Sequence, residues 1–185
     1  MYSFIKNNLR SKEYVLATIH RAENTNDVKI LSSILSALKK IKIKVVLPLH
    51  PRTKKKIDEE NIKFDPLVKL IKPLGYIDYI NLQINSSLVI SDSGTISEEA
   101  SILNFNAINL RESYERPESA EEGSTILTGL SMERVFQAIE VFEKMDTKKT
   151  RTIVKDYDTS NVSEKVANTV LSYTDYINRV VWKKY

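Results

Sequence analysis

Runs of consecutive apolar residues alternate along this chain with segments in which apolar residues recur every three or four positions. Tyr14 to Ile19, Val45 to Leu49, Val68 to Ile71, Leu88 to Ile90 and Ala107 to Leu110 are runs of the first kind, and Ser124 to Leu127 is a sixth, less apolar one. Unbroken apolar runs, rather than strict apolar-polar alternation, are what strands covered on both faces require. Ile30, Leu31, Ile34, Leu35, Leu38 and Ile41 mark one face of a helix over Asp27 to Lys40, with Asn26 placed to cap it. Thr95 to Leu103 predicts a shorter helix. Ser131 is placed to cap a helix carrying Val135, Phe136, Ile139 and Phe142. Asn161, with Glu164 three residues on, has the spacing of a capping box at the start of a last helix striped by Val162, Val166 and Val170. Tyr2 to Arg10 also reads as helical, and Thr147 to Asn161 is a polar, linker-like stretch.

Strands that alternate with helices imply right-handed crossovers, a parallel sheet and helices on both faces. The expected fold is therefore α/β and Rossmann-like. In such a sheet ligands bind beyond the carboxyl ends of the strands. The distinctive polar clusters all fall at those ends: His20-Arg21-Ala22-Glu23-Asn24, His50-Pro51-Arg52, Ser91-Asp92-Ser93-Gly94-Thr95, and Arg111 through Glu118. Polar residues scattered at random would fall equally at the opposite edge, so the placement points to a site.

Composition narrows the chemistry. The chain of 185 residues has the size of one domain, a net charge of +4 and no cysteine, which excludes disulfide scaffolds and thiolate metal sites. No run approaches the length of a membrane span, no secretory leader is apparent, and a cytoplasmic protein is the default. The dense basic run Lys54-Lys55-Lys56 is answered by Asp58-Glu59-Glu60, which reads as a solvated helix face rather than a nucleic-acid patch. Two histidines 30 residues apart, with no aspartate pattern beside them, make a poor metal site, and no metal or redox cofactor is expected.

Asp92-Ser93-Gly94-Thr95 joins a strand to a helix. Glycine permits close approach to the backbone, and the free amides and positive dipole end of the helix suit a phosphate. The plainer reading is a turn with serine capping. Glu98 and Glu99 lie one turn on; an inward carboxylate there could accept two ribose hydroxyls, while an outward one needs no function. Arg116 suits a diphosphate, which a planar guanidinium binds through two oxygens, or else pairs with a neighbouring glutamate. His20 and His50 are each open to three readings: proton transfer, phosphate donor, or a satisfied strand-end histidine.

Four motifs in order resemble the non-hydrolysing UDP-N-acetylglucosamine 2-epimerases: Thr18-Ile19-His20-Arg21-Ala22-Glu23-Asn24, Pro48-Leu49-His50-Pro51, Asp92-Ser93-Gly94-Thr95-Ile96-Ser97-Glu98-Glu99-Ala100, and Glu115-Arg116-Pro117-Glu118. The chain is most similar to the branch that forms 6-deoxy aminosugar nucleotides such as UDP-N-acetyl-L-fucosamine for surface polysaccharides. The resemblance covers essentially the whole chain but only the C-terminal half of the family's two-domain, B-type glycosyltransferase-like fold. It implies that Ser93, Gly94 and Thr95 hold the diphosphate, Glu99 the ribose, and Arg116 the phosphates or sugar. Leu74 through its backbone and Tyr79 through its ring would line the uracil. His20 would sit at the diphosphate and assist catalysis. Arg21 and His50, with Glu23 and Asn24 near them, match cleft or allosteric positions. The family usually has a second glycine where Thr95 stands; the threonine either points away or reshapes the contact.

The chemistry the resemblance implies is loss of the sugar C2 proton with departure of UDP, then re-addition of UDP with the opposite configuration at C2. In the family the acid–base carboxylates belong to an N-terminal domain, which this sequence does not include, so the isolated chain is expected to bind UDP weakly and not to epimerise. A non-catalytic UDP-sugar-binding remnant and the nucleotide domain of a glycosyltransferase are the competing readings. The last helix, from 161 to 185, gathers Tyr173, Tyr176, Ile177, Val180, Val181, Trp182 and Tyr185. It packs back on its own domain, or docks on the absent domain or on a second copy of the chain in a homodimer.

Overall fold

The computed structural model describes residues 9–113, 115–144 and 151–185. They form two units, up to Val154 and from Lys155 onward. The first runs β1 (Tyr14–Thr18), α1 (Ala22–Thr25), α2 (Val28–Leu38), β2 (Lys44–Pro48), α3 (Pro51–Glu59), β3 (Val68–Ile71), α4 (Tyr76–Asn85), β4 (Leu88–Ser91), α5 (Ile96–Leu103), β5 (Ala107–Asn109), α6 (Pro117–Glu121), β6 (Thr125–Leu127) and α7 (Met132–Lys144). All six predicted strands form. They make one wholly parallel sheet in the order β3-β2-β1-β4-β5-β6, with Leu16 opposite Val46 on one side and Val89 on the other.

Successive strand residues point to opposite faces, and both faces are apolar. Val15, Ala17, Ile19, Val45, Leu47 and Ile90 meet Leu31, Leu35, Ile57 and Val135 on the α2–α3–α7 side. Tyr14, Leu16, Val46 and Val89 meet Leu82, Ile96, Ala100 and Phe105 on the α4–α5 side. Burying each large apolar side chain contributes about 1.5–3 kcal/mol, which is what holds the strand ends, and the loops beyond them, in a fixed relation. The buried Tyr14 hydroxyl is satisfied by the Leu82 carbonyl at 2.6 Å.

Three local expectations are corrected. Asp27, not Asn26, caps α2: its carboxylate accepts from the amides of Lys29 and Ile30, and Asn26 instead closes α1. Asn161 stands at the start of the last helix but makes no side-chain cap, so the capping box does not form. The linker-like stretch is partly fastened, since Arg151 donates to the Phe105 carbonyl and to Asn106, and the Val154 amide donates to Ser101. Residues 147–150 of that stretch, and the helical expectation for Tyr2 to Arg10 apart from non-helical Leu9 and Arg10, lie outside the described residues. Ser131 does cap α7, through the Arg134 amide at 3.4 Å. The basic run lies on α3, where Lys54, Lys55 and Lys56 pair with Asp58 and Glu59 as a solvated face.

The second unit, Lys155–Tyr185, contains α8 (Val162–Val180), which by itself carries Val162, Val166, Val170, Tyr173 and Ile177 along one side. Among the described residues no helix is long and apolar enough to cross a membrane.

Candidate functional site

The strand order reverses between β1 and β4, since β1 is followed outward by β2 and β4 by β5. That crevice is where an open parallel sheet binds ligands. The loops after both strands are stitched together by Asp92, which is wholly buried. Its carboxylate accepts from the His20 amide at 3.1 Å, the Arg21 amide at 3.0 Å and the Asn24 side-chain amide at 3.1 Å, and lies 3.1 Å from Nδ1 of His20. Burial alone would raise the Asp92 carboxyl; the hydrogen bonds from His20, the Arg21 amide and Asn24 outweigh it and hold it below its ordinary value. The same bond to Asp92 raises the His20 imidazole, against burial and the charges of Arg21 and Arg52. The pair therefore stabilises the fold fully between about pH 4 and 6.5, the ordinary values of the two side chains. The contribution is lost as pH falls through the lowered carboxyl value and as it rises through the raised imidazole value.

Ser93, Gly94 and Thr95 form the turn into α5, whose first amides have no partner inside a helix. The Ser93 amide donates to Ser91 Oγ at 3.0 Å and the Thr95 amide to Ser93 Oγ at 3.3 Å, which fixes the turn. Two guanidinium groups close over it. Arg116 Nη1 donates to the Gly94 carbonyl at 3.1 Å, and its Nε meets Glu98 at 2.6 Å. Arg111, the residue after the Leu110 end of the β5 run, is buried and pairs through both terminal nitrogens with Glu115. A Cβ on Gly94 would lie 3.6 Å from Arg111 Nη1 and 3.9 Å from Arg116 Nη1, an ordinary contact. Gly94 is thus not required by the protein's own packing. Gly94→Ala is expected to leave the melting temperature unchanged and, on the expectation that this turn holds a phosphate, to weaken UDP binding about tenfold. A lower melting temperature with unchanged affinity would assign Gly94 to the fold instead.

Glu99 is set between two partners: Thr95 Oγ1 donates to it at 2.7 Å and Gln83 Nε2 at 2.5 Å. The Thr95 hydroxyl is therefore turned along its own helix to Glu99 and orients that carboxylate. Tyr79 and Leu74 line, with His20, His50 and Ser93, a cavity of about 260 Å³ beside the turn. The Tyr79 hydroxyl is 3.3 Å from Thr18 Oγ1 and is pushed up to about 12, by burial first. His50 caps α3 through the Arg52 amide at 3.3 Å, and its ring centroid is 6.0 Å from that of His20. Arg21 is ion-paired with exposed Glu23. Asn24 is buried and bridges Asp92 to the Leu110 carbonyl, beneath the site rather than on its surface.

The family model for UDP-N-acetylglucosamine 2-epimerase matches residues 2–171. A UDP-N-acetylglucosamine 2-epimerase of Methanococcus maripaludis is 39% identical over 145 residues, 74% of this chain and 40% of its own length. The solved structure of the UDP-N-acetylglucosamine 2-epimerase from Rickettsia bellii superposes with a TM-score of 0.78 at 39% identity, over 97% of this chain and 49% of that one. The Methanocaldococcus jannaschii enzyme in complex with UDP-GlcNAc and UDP gives 0.75 at 28% identity, over 92% and 48%.

The chain belongs to the UDP-N-acetylglucosamine 2-epimerase family. It spans about two fifths of the length of the curated relative from Methanococcus maripaludis, and what it matches is the C-terminal half of such proteins. The expected fold, a Rossmann-like parallel sheet forming one half of a two-domain B-type glycosyltransferase-like architecture, is the fold found. Two residues of this epimerase half escaped the reading of its sequence as individual site residues, Arg111 and Asp92. The signal for both was their place directly after a buried strand at the ligand edge, where a charged residue is costly unless it is used.

Proposed function

We propose that the chain is the nucleotide-binding half of an enzyme that inverts C2 of a UDP-2-acetamido sugar by eliminating UDP and adding it back. The observation that carries this is the meeting, at the β1/β4 crevice, of the Ser93-Gly94-Thr95 turn with the guanidinium groups of Arg111 and Arg116. Removal of the C2 proton leaves its electron pair to form the C1–C2 double bond, and the C1–O bond breaks with both electrons going to UDP. The negative charge that appears on the departing diphosphate would fall on the α5 amides, Arg116 and His20, with the buried Arg111, paired with Glu115, behind them. Re-addition reverses the steps with the proton returned to the other face of C2. Glu99 would take the ribose hydroxyls, and the cavity of Leu74 and Tyr79 the uracil.

Every carboxylate described around the crevice already has a partner. Asp92 is held by His20, Glu98 by Arg116, Glu99 by Thr95 and Gln83, Glu115 by Arg111, and Glu23 by Arg21. A base for C2 is better sought on a facing domain, and we infer that α8 docks there through its apolar side.

Calorimetric titration of the chain with UDP, with UMP and ADP as controls, tests the reading. UDP is expected to bind more tightly than UMP, because the second phosphate supplies the charge, and more tightly than ADP, because on this reading the groups around Leu74 and Tyr79 are matched to uracil. Equal binding of ADP would remove the uridine assignment.

A further inference from the structure

We propose that Asp92 is the positioning residue for His20: it fixes the imidazole with Nδ1 turned into the domain and Nε2 left for the diphosphate, so that His20 meets the nucleotide as a cation. The ligand named here rests on the proposed UDP site; the His20–Asp92 geometry does not.

A carboxylate with no exposure is costly unless every oxygen is satisfied. Asp92 meets that demand by gathering the His20 and Arg21 amides, the Asn24 amide and the His20 ring, which fixes the main chain of His20 and its side chain together. With Nδ1 at 3.1 Å from an acceptor-only group, that nitrogen carries a proton in the neutral as well as the charged ring. Protonation is then decided at Nε2, which makes no hydrogen bond to a described residue. The ring itself is 41% exposed and lines the same cavity as Ser93 and Tyr79.

Charged and titratable groups face His20 from each neighbouring element. Asp92 faces it from the turn after β4, Arg21 from its own loop, and His50 and Arg52 from the start of α3. Tyr79 of α4 reaches Thr18, two residues before it. Asp92 is the acid among them, and it outweighs the two arginines and burial in the direction of the imidazolium. A protonated Nε2 donates to a phosphate oxygen; a neutral one would present a lone pair to it. Arg111 and Arg116 hold their charge over the same range. The terminal phosphate of UDP loses its second proton at about pH 6, the ordinary phosphate value, which favours binding as pH rises, so a fall in affinity over the same range reports the imidazole.

The test is carried out on the full chain. Heteronuclear NMR of the histidine rings gives the tautomer and titration of His20, and calorimetry gives UDP affinity at pH 6.5 and 8.5, for the chain and for Asp92→Asn. The Nδ1–H tautomer is expected for neutral His20, with titration above about 6.5, the ordinary histidine value. UDP affinity should fall about tenfold from pH 6.5 to 8.5. In Asp92→Asn the titration should move down and affinity at pH 6.5 should drop to the level the chain has at pH 8.5. An Nε2–H tautomer, titration at or below the ordinary value, or a folded Asp92→Asn chain with unchanged His20 titration overturns the proposal. If the variant does not fold, the tautomer and titration of the unaltered chain decide. Should His20 behave as expected while UDP fails to bind, the UDP reading falls and the Asp92–His20 pairing stands. Binding of UDP that is indifferent both to pH and to Asp92→Asn overturns the role given to the imidazolium.

Discussion

Arg116→Ala is expected to weaken UDP binding about a hundredfold, more than the loss of a single neutral hydrogen bond would cause. A hydrogen bond to a charged group contributes about 1.5–3 kcal/mol, or roughly tenfold to a hundredfold in affinity. Arg116 adds to this because of what it neutralises. Its Nε lies 2.6 Å from Glu98, and the other Glu98 oxygen is buried without a hydrogen-bond partner among the described residues. Removing the guanidinium thus leaves a half-buried carboxylate one turn into α5, facing the place where a diphosphate would sit. Two negative groups would then share the site. Glu98→Gln placed on top of Arg116→Ala should accordingly recover about tenfold of the lost affinity, since it removes the repulsion without restoring the contact. Glu98→Gln alone should change affinity little or raise it, because Arg116 is then released from its competitor. Titration of the four proteins with UDP closes the cycle. Additive losses, with no recovery in the double variant, would show that Glu98 does not face the nucleotide, and full affinity in Arg116→Ala would take Arg116 out of the site.

The same pair shows what the sequence could and could not reveal. The sheet was legible because fully buried parallel strands must be apolar without interruption, and each of the six runs became a strand. Helices striped at helical spacing, α2, α5, α7 and α8, were legible for the same reason. Helices that bury little were not all legible: α1 and α6 are one turn or little more, and α4 buries only Leu82 and the polar Gln83. The shift of the α2 cap from Asn26 to Asp27 arose because neighbouring residues of equal capping preference offer no sequence signal to choose between them. At the site, position along the chain indicated which strand end each residue follows, but not which residues serve the others. Asp92 and Asn24 were legible as members of motifs, whereas their burial beneath the crevice depends on β1 and β4 being neighbours, which only the strand order provides. Arg111 escaped because its place after a buried strand marks a charge that is used without saying by what, and its pairing with Glu115 appears only in the folded chain. Glu99 stood in the sequence as a ribose ligand, and its restraint by Thr95 and Gln83 needs the approach of α4 to α5.

The isolated chain is expected to form neither 2-epimerised product nor free glycal from UDP-N-acetylglucosamine, and to gain turnover when the preceding half of a family member is supplied in trans. The argument lies in the proton rather than the phosphate. Stabilising a leaving diphosphate lowers the barrier only once something removes the C2 proton. Around the crevice, Asp92 is buried and committed to His20, Glu98 is committed to Arg116, and Glu99 is braced by Thr95 and Gln83. Releasing any of them as a base would unmake part of the proposed nucleotide site itself. His20, held with Nδ1 on Asp92 and shifted by that carboxylate toward its protonated form, would serve as a donor and could not accept a proton while it does that work. A second domain would resolve the conflict by bringing a carboxylate to the sugar face while this one keeps the charge at the other end of the scissile bond. Proton NMR of UDP-N-acetylglucosamine incubated in deuterium oxide separates the possibilities, because C2 exchange reports proton removal even where no product accumulates. Exchange and product from the chain alone would place the base within these residues. Neither signal alone, followed by both after addition of the second half, would place it across the cleft.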